Sequence, residues 1–126
     1  DNRRTYPWGQ EDQELIDFHR EMIRIRKENP VCRTGSGTPV IAEEGIFGFI
    51  RFAEAQQVLT LVNNNEEGKK LHVPVWMGEV PNGALMERLM LSVEDGHSTE
   101  SAHYLVCNGE IEIFMPAFSA AVLRRK

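Results

Sequence analysis

The residues of this sequence with chemistry to offer are adjacent carboxylates: Glu11-Asp12, Glu43-Glu44, Glu66-Glu67 and Glu94-Asp95, with Glu14 close behind the first pair. Two carboxyl groups held together can serve as acid and base or nucleophile, provided that burial or neighbours drive their pKa values apart. Here the pairs stand at the start of a helical segment or beside the loop glycines Gly45, Gly68 and Gly96, so they read as wet surface. His97 and His103, with Glu100 between them, raise the question of a metal, but their spacing fits no common zinc signature. His19 and His72 stand alone. No glycine-rich phosphate loop and no nucleophile–histidine–acid order is present, so neither a metal nor a cofactor is expected. Cys32 and Cys107 are too few for a disulfide scaffold; Cys107 closes the apolar run Tyr104–Cys107 and reads as a small buried thiol, and whether the two cysteines pair is left open.

Bulk properties narrow the partners. A length of 126 residues fits one domain of ordinary size, and 41% hydrophobic with 26% charged residues is a globular composition. The net charge of −5 argues against nucleic acid, which needs clustered Lys and Arg. No apolar stretch approaches the roughly 20 residues of a membrane span. The first residues are Asp1-Asn2-Arg3-Arg4, not Met, so the chain is read as starting inside a longer protein whose true N-terminus is absent. The absence of a signal peptide therefore carries little, and the compartment stays open with a lean towards the bacterial cytoplasm.

These residues must be positioned by two unlike stretches that meet at Pro30. From Glu11 to Glu28, Leu15, Phe18, Met22 and Ile25 recur at helical spacing, with Ile16 and Ile23 widening the apolar stripe. Acids at the start and Arg24, Arg26 and Lys27 at the end suit the helix dipole, and Asn29-Pro30 stops the helix. So broad a stripe requires a large partner surface; it either folds onto the rest of the chain or mediates self-association. Residues 32–37 read as a glycine-broken loop. Strands follow at Val40–Ala42, Ile46–Phe52, Val58–Val62 and Leu71–Val75. Leu85–Val93 reads as a strand with irregular flanks, Asp95–Ser101 as a polar loop, and Tyr104–Cys107 and Glu110–Met115 as a hairpin joined by Asn108-Gly109. Phe118–Leu123 closes the chain. The fold expected is mainly β, an antiparallel Greek-key β-sandwich preceded by one α-helix.

Asp1-Asn2-Arg3-Arg4-Thr5-Tyr6-Pro7-Trp8 resembles the segment after barrel strand eight in the α-amylase family of glycoside hydrolases, where an N-R motif leads into the last helix of a (β/α)8 barrel. Glu14–Pro30 is similar to that helix, Pro30–Ser36 to the start of the family's C-terminal domain, and Ile111–Leu123 to its closing strands. The likeness is greatest to neopullulanase, maltogenic amylase and cyclomaltodextrinase enzymes. It implies that residues 1–30 end a catalytic barrel and that residues 31–126 form a C-terminal β-sandwich. The parent would be a retaining hydrolase of α-1,4- or α-1,6-glucans, whose catalytic carboxylates all precede the N-R motif, so this chain alone would carry no turnover. The implied partners are the parent's barrel and its α-glucan or maltooligosaccharide substrate. Arg3 is the one residue the resemblance places near sugar, with Asn2 shaping the turn beside it. The alternative is a carbohydrate-binding module that holds α-glucans without hydrolysis, for which Trp8, Trp76 and Tyr104 are the candidate platforms if exposed, although a packing role is expected of each.

Overall fold

The computed structural model describes residues 12–126. Helix α1 spans Gln13–Glu28. Asp12 caps it, its side chain accepting a hydrogen bond from the Leu15 amide at 3.1 Å, and Asn29 ends it by donating its own amide to the Ile25 carbonyl. A single turn, α2 (Val31–Thr34), follows where a loop was expected, with Pro30 preset for its start.

Among the described residues, nine antiparallel strands make two sheets. The larger holds β1 (Ser36–Glu43), β2 (Ile46–Ala53), β3 (Gln56–Asn63), β9 (Ser119–Arg125) and β5 (Leu85–Val93) side by side. Beyond β5, β6 (Gly96–Ser98) and β7 (Ala102–Leu105) pair with opposite ends of its free edge. The smaller sheet is β4 (Lys69–Val73) with β8 (Ile111–Met115). The chain crosses from β3 to the small sheet and returns from β8 to β9, so β9 enters between β3 and β5 in the Greek-key manner. The expected sandwich preceded by a helix is therefore present.

Alternation decides what each strand buries. Ile46 and Ile50 of β2, Leu59 and Leu61 of β3, and Ala121 and Leu123 of β9 point to the small sheet, where they meet Leu71, Val73, Ile111, Ile113 and Met115. The opposite face of the large sheet carries α1, with Ile25, Val31, Val58, Met90 and Val122 as its buried centre and Phe18 and Met22 against it. The molecule is thus three layers: helix, large sheet, small sheet. The helical stripe folds onto the sheet, one of the two outcomes expected for it.

Asn63 holds the corner where the β3–β4 and β8–β9 crossings meet. Its buried amide donates to the carbonyls of Glu67, Met115 and Pro116 at 2.9–3.1 Å, and its Oδ1 accepts from the amide and side chain of Asn65 at 3.0 Å.

Several local expectations are corrected. The strand read at Val40–Ala42 runs from Ser36 to Glu43, with Pro39 tolerated because β1 is an edge strand. Within Asp95–Ser101, Gly96–Ser98 forms β6. Asn108 and Gly109 do make a tight turn, with φ of 53° and 81° as a type I′ turn requires. The segments on either side do not form a hairpin beyond the Cys107–Glu110 bridge, because β7 joins the large sheet and β8 the small one. Cys107 sits at that corner and is exposed, not buried. Both cysteines are free.

Candidate functional site

Several acids of the described residues stand in tight turns. Glu44-Gly45, Glu54-Ala55 and Glu94-Asp95 are the two-residue loops of the β1–β2, β2–β3 and β5–β6 hairpins. A cleft of about 480 Å³ is lined by Asp12, Glu14, Glu94 and Asp95 beside Leu15 and Phe18. Each of these acids has another duty: Asp12 caps α1, Glu14 pairs with Nδ1 of His97, and Glu94-Asp95 turn the hairpin. A second cleft, about 360 Å³, lies between the end of α1 and the end of β9, and Glu87 and Arg124 line it. Glu87 bonds Arg124 at 3.2 Å and Ser101 at 3.1 Å. Burial alone would raise its pKa, but the Ser101 and Arg124 bonds outweigh that and hold Glu87 below the usual glutamate range. A carboxylate held ionised by an arginine is a poor general acid. On α1, hydrogen bonding to Arg24 likewise lowers the pKa of Glu21.

The histidine reading can be placed too. His97 packs its ring edge-on to Phe18, with centroids 5.7 Å apart, and ties β6 to the start of α1. His103 lies 3.6 Å from Glu87, and Glu100 bonds through its backbone, its carbonyl accepting from Arg88 and its amide donating to Ser98 Oγ. Among the described residues no group of three or more His, Cys, Asp or Glu side chains is arranged to hold a metal. Asn2, Arg3 and Trp8 lie outside the described residues.

What the structure does bring together is an apolar surface on the helix-bearing side. At about 100° per residue, Leu15, Phe18, Met22 and Ile25 share one arc of α1, while Ile16 and Ile23 form a second arc roughly 130° around. The sheet covers Phe18, Met22 and Ile25 of the first arc. Leu15 and Ile23 are each 52% exposed. On the helix-bearing side of the sheet, Phe47 and Phe49 project from β2, since they alternate with the core-facing Ile46, Gly48 and Ile50. Their rings stack with centroids 6.5 Å apart, and Phe49 lies across Gly37 of β1, where a Cβ would meet its Cζ at 2.5 Å. Phe47 is 46% exposed, and Val62 beside it on β3 is half-buried. Ile46–Phe52 is apolar on both faces, and that was the available signal that its outer face also seeks a cover.

Of the aromatic candidates, Tyr104 packs against the main core, as expected. Trp76 does not: it stands 60% exposed on the 3-10 turn Val75–Gly78 that follows β4.

No protein-family model matches the chain. Among curated proteins it is 43% identical over 51 residues to an amylopullulanase of Thermoanaerobacter thermohydrosulfuricus, covering 40% of this chain and 4% of that protein. An amylopullulanase of Thermoanaerobacterium thermosulfurigenes is 25% identical over 134 aligned positions, covering 98% of this chain and 7% of that protein. An α-amylase 2 of Dictyoglomus thermophilum is 33% identical over 63 residues, 48% of this chain and 11% of that one. The chain thus spans only a small part of the relatives it matches. Among solved structures, an Anoxybacillus α-amylase superposes with a TM-score of 0.80 at 22% identity, over 99% of this chain and 25% of that one. The debranching enzyme of Nostoc punctiforme superposes with a TM-score of 0.70 at 21% identity, over 98% of this chain and 24% of that one. These two likenesses bear on the fold.

Proposed function

We propose, on the premise that this chain is related to the C-terminal regions of α-amylase-family enzymes, that it is a non-catalytic part of an α-glucan hydrolase which covers and stabilises the catalytic barrel. The observation that carries the reading is the two-sided helix. Phe18, Met22 and Ile25 pack on the chain's own sheet, while Leu15 in the first turn and Ile23 on the other arc remain half exposed. A helix with apolar residues on two sides is a helix meant to lie between two bodies. On this reading residues 1–30 belong to the barrel's edge, residues 31–126 form the β-domain, and α1 is the seam between them.

Burying the exposed parts of Leu15, Ile23 and Phe47 would contribute about 1 kcal/mol each, on the order of 3 kcal/mol together before ordering costs. That is a substantial fraction of the roughly 5–15 kcal/mol that keeps a domain folded. The acids of the described residues support a non-catalytic role, because they cap, turn or pair with cations. Asn2 and Arg3 keep the sugar-side role the resemblance implies, in the complete enzyme only.

The direct test is to purify the chain and assay maltooligosaccharides, cyclodextrin and pullulan for reducing ends. The expected result is a folded protein without turnover. Hydrolysis that copurifies with the chain and survives repeated chromatography contradicts the reading.

A further inference from the structure

The sequence has two Asn-Gly pairs, Asn82-Gly83 and Asn108-Gly109, and the fold sets them against each other. Asparagine is thermolabile, and least durable before glycine, which has no side chain to hinder its own amide nitrogen. That nitrogen, once it loses its proton to a base, attacks Cγ of the preceding asparagine. A cyclic imide forms and Nδ2 leaves as ammonia. Water then opens either imide carbonyl to give aspartate or isoaspartate. In a folded protein the rate depends on what holds the glycine amide.

The two glycine amides are held in different ways. Gly83 donates to the carbonyl of the buried Val106 at 2.9 Å, and Val106 donates back to the Ala84 carbonyl at 2.9 Å. Two backbone bonds thus fix Gly83. Gly109 lies in the turn closed by Cys107 and Glu110, whose mutual bonds of 2.9 and 3.0 Å leave its amide unused. That amide donates instead to Asn82 Oδ1 at 2.7 Å, from a residue 27 positions away. Asn82 and Asn108 are both exposed. A single surface side chain therefore stands between Asn108 and its attacker.

The fold also has something to lose at this turn. The Gly109 carbonyl accepts from the Trp76 amide at 3.0 Å, and a Cβ on Gly109 would meet Trp76 Cδ1 at 2.9 Å. Isoaspartate at position 108 adds a methylene to the main chain beside both contacts. It does so where the chain passes from β7 in the large sheet to β8 in the small one.

We infer that Asn108 is a latent deamidation site and that Asn82 guards it, by keeping the Gly109 amide proton engaged and its nitrogen in place.

The test incubates the whole chain in mildly alkaline buffer below its melting temperature and follows each Asn-Gly pair by peptide mapping with mass spectrometry. Asn82→Ala removes the guard, whereas Asn82→Asp keeps an acceptor at the same place. Asn108 should convert about fivefold faster or more in Asn82→Ala, the worth of one hydrogen bond, and at the parent's rate in Asn82→Asp. Amide exchange ties the result to that bond: in Asn82→Ala the Gly109 amide should lose protection while Gly83 and Val106 keep theirs. Equal conversion of Asn108 in the parent and in Asn82→Ala overturns the inference, as does conversion in Asn82→Asp as fast as in Asn82→Ala. If Gly83 and Val106 lose protection together with Gly109, Asn82 supports the turns as a whole and the guarding role is refuted.

Discussion

Replacing Asn63 should damage this fold more than any other change to a polar residue. Asn63 reads in the sequence as the first of three loop asparagines, Asn63-Asn64-Asn65, yet it is 1% exposed and serves two crossings between the sheets, β3 to β4 and β8 to β9. Its amide faces three carbonyls within 3.1 Å, from Glu67, Met115 and Pro116, with two hydrogens to share among them. Its carbonyl receives two further bonds from Asn65, whose side chain also donates to the Glu44 carbonyl at 3.2 Å. A typical hydrogen bond is worth about 1 kcal/mol net, and a stranded buried acceptor costs about 1–3 kcal/mol. Asn63→Ala should therefore cost about 2–4 kcal/mol after partial rescue by water. The change should lower Tm by on the order of 10–20 °C for a domain of this size. Asn63→Asp should be at least as harmful at pH 7, because it places a carboxylate against three carbonyl oxygens. Lowering the pH should relieve that loss in part, since the neutral acid can donate one bond. Urea unfolding followed by circular dichroism at pH 7 and pH 4 measures all of this. Asn63→Ala within about 0.5 kcal/mol of the parent would show that the corner is held by something else.

Two further outcomes follow from the side-chain environments. The pKa of Glu87 is lower in the folded state than in the unfolded one, so its stabilisation is present above the ordinary glutamate pKa of about 4.3 and is lost as pH falls through the lower folded value. Glu87→Gln should accordingly be less stable than the parent at pH 7, with the difference closing below pH 4, and a gap that does not change with pH would refute the Arg124 and Ser101 account. Burial raises the pKa of Cys32, whereas Cys107 is exposed, so in the native protein a thiol-specific disulfide reagent should modify Cys107 first and Cys32 about tenfold or more slowly. A single slow phase, or fewer than two thiols after unfolding, would contradict this.

How much of this was legible in the sequence depended on whether the signal was local. Helix α1 announces itself through Leu15, Phe18, Met22 and Ile25 and through Asp12 at its start, all within a few turns. The alternation of β8 is equally plain. Leu85–Val93 reads as an irregular strand because β5 has a register shift between Arg88 and Met90, which changes the parity of its side chains midway. Cys107 was misplaced because an apolar run does not reveal that the chain turns a corner between sheets two residues after Leu105. Trp76 was expected to be packed because an isolated tryptophan carries no periodic signal; only the 3-10 turn that presents it makes it a surface residue. Asn63 shows the same limit from the other side: three asparagines in a row read as a loop, and the carbonyls that bury the first of them come from residues as distant as Met115 and Pro116. The apolar helix side was half legible. The breadth of the stripe predicted a partner, but the division of that stripe into a covered arc and an open one required the sheet.

The central claim, that the open arc of α1 is a seam against a catalytic barrel, is tested most directly by thermal inactivation of the enzyme that carries this chain. Leu15→Gln with Ile23→Gln should leave the unfolding of the isolated chain nearly unchanged, within about 1 kcal/mol, because both residues are half exposed there. In the enzyme the pair should lose about 2 kcal/mol of burial. Hydrolytic activity should then decay faster on heating, with kcat at low temperature unchanged. Equal inactivation rates for the parent and the doubly substituted enzyme would contradict the account.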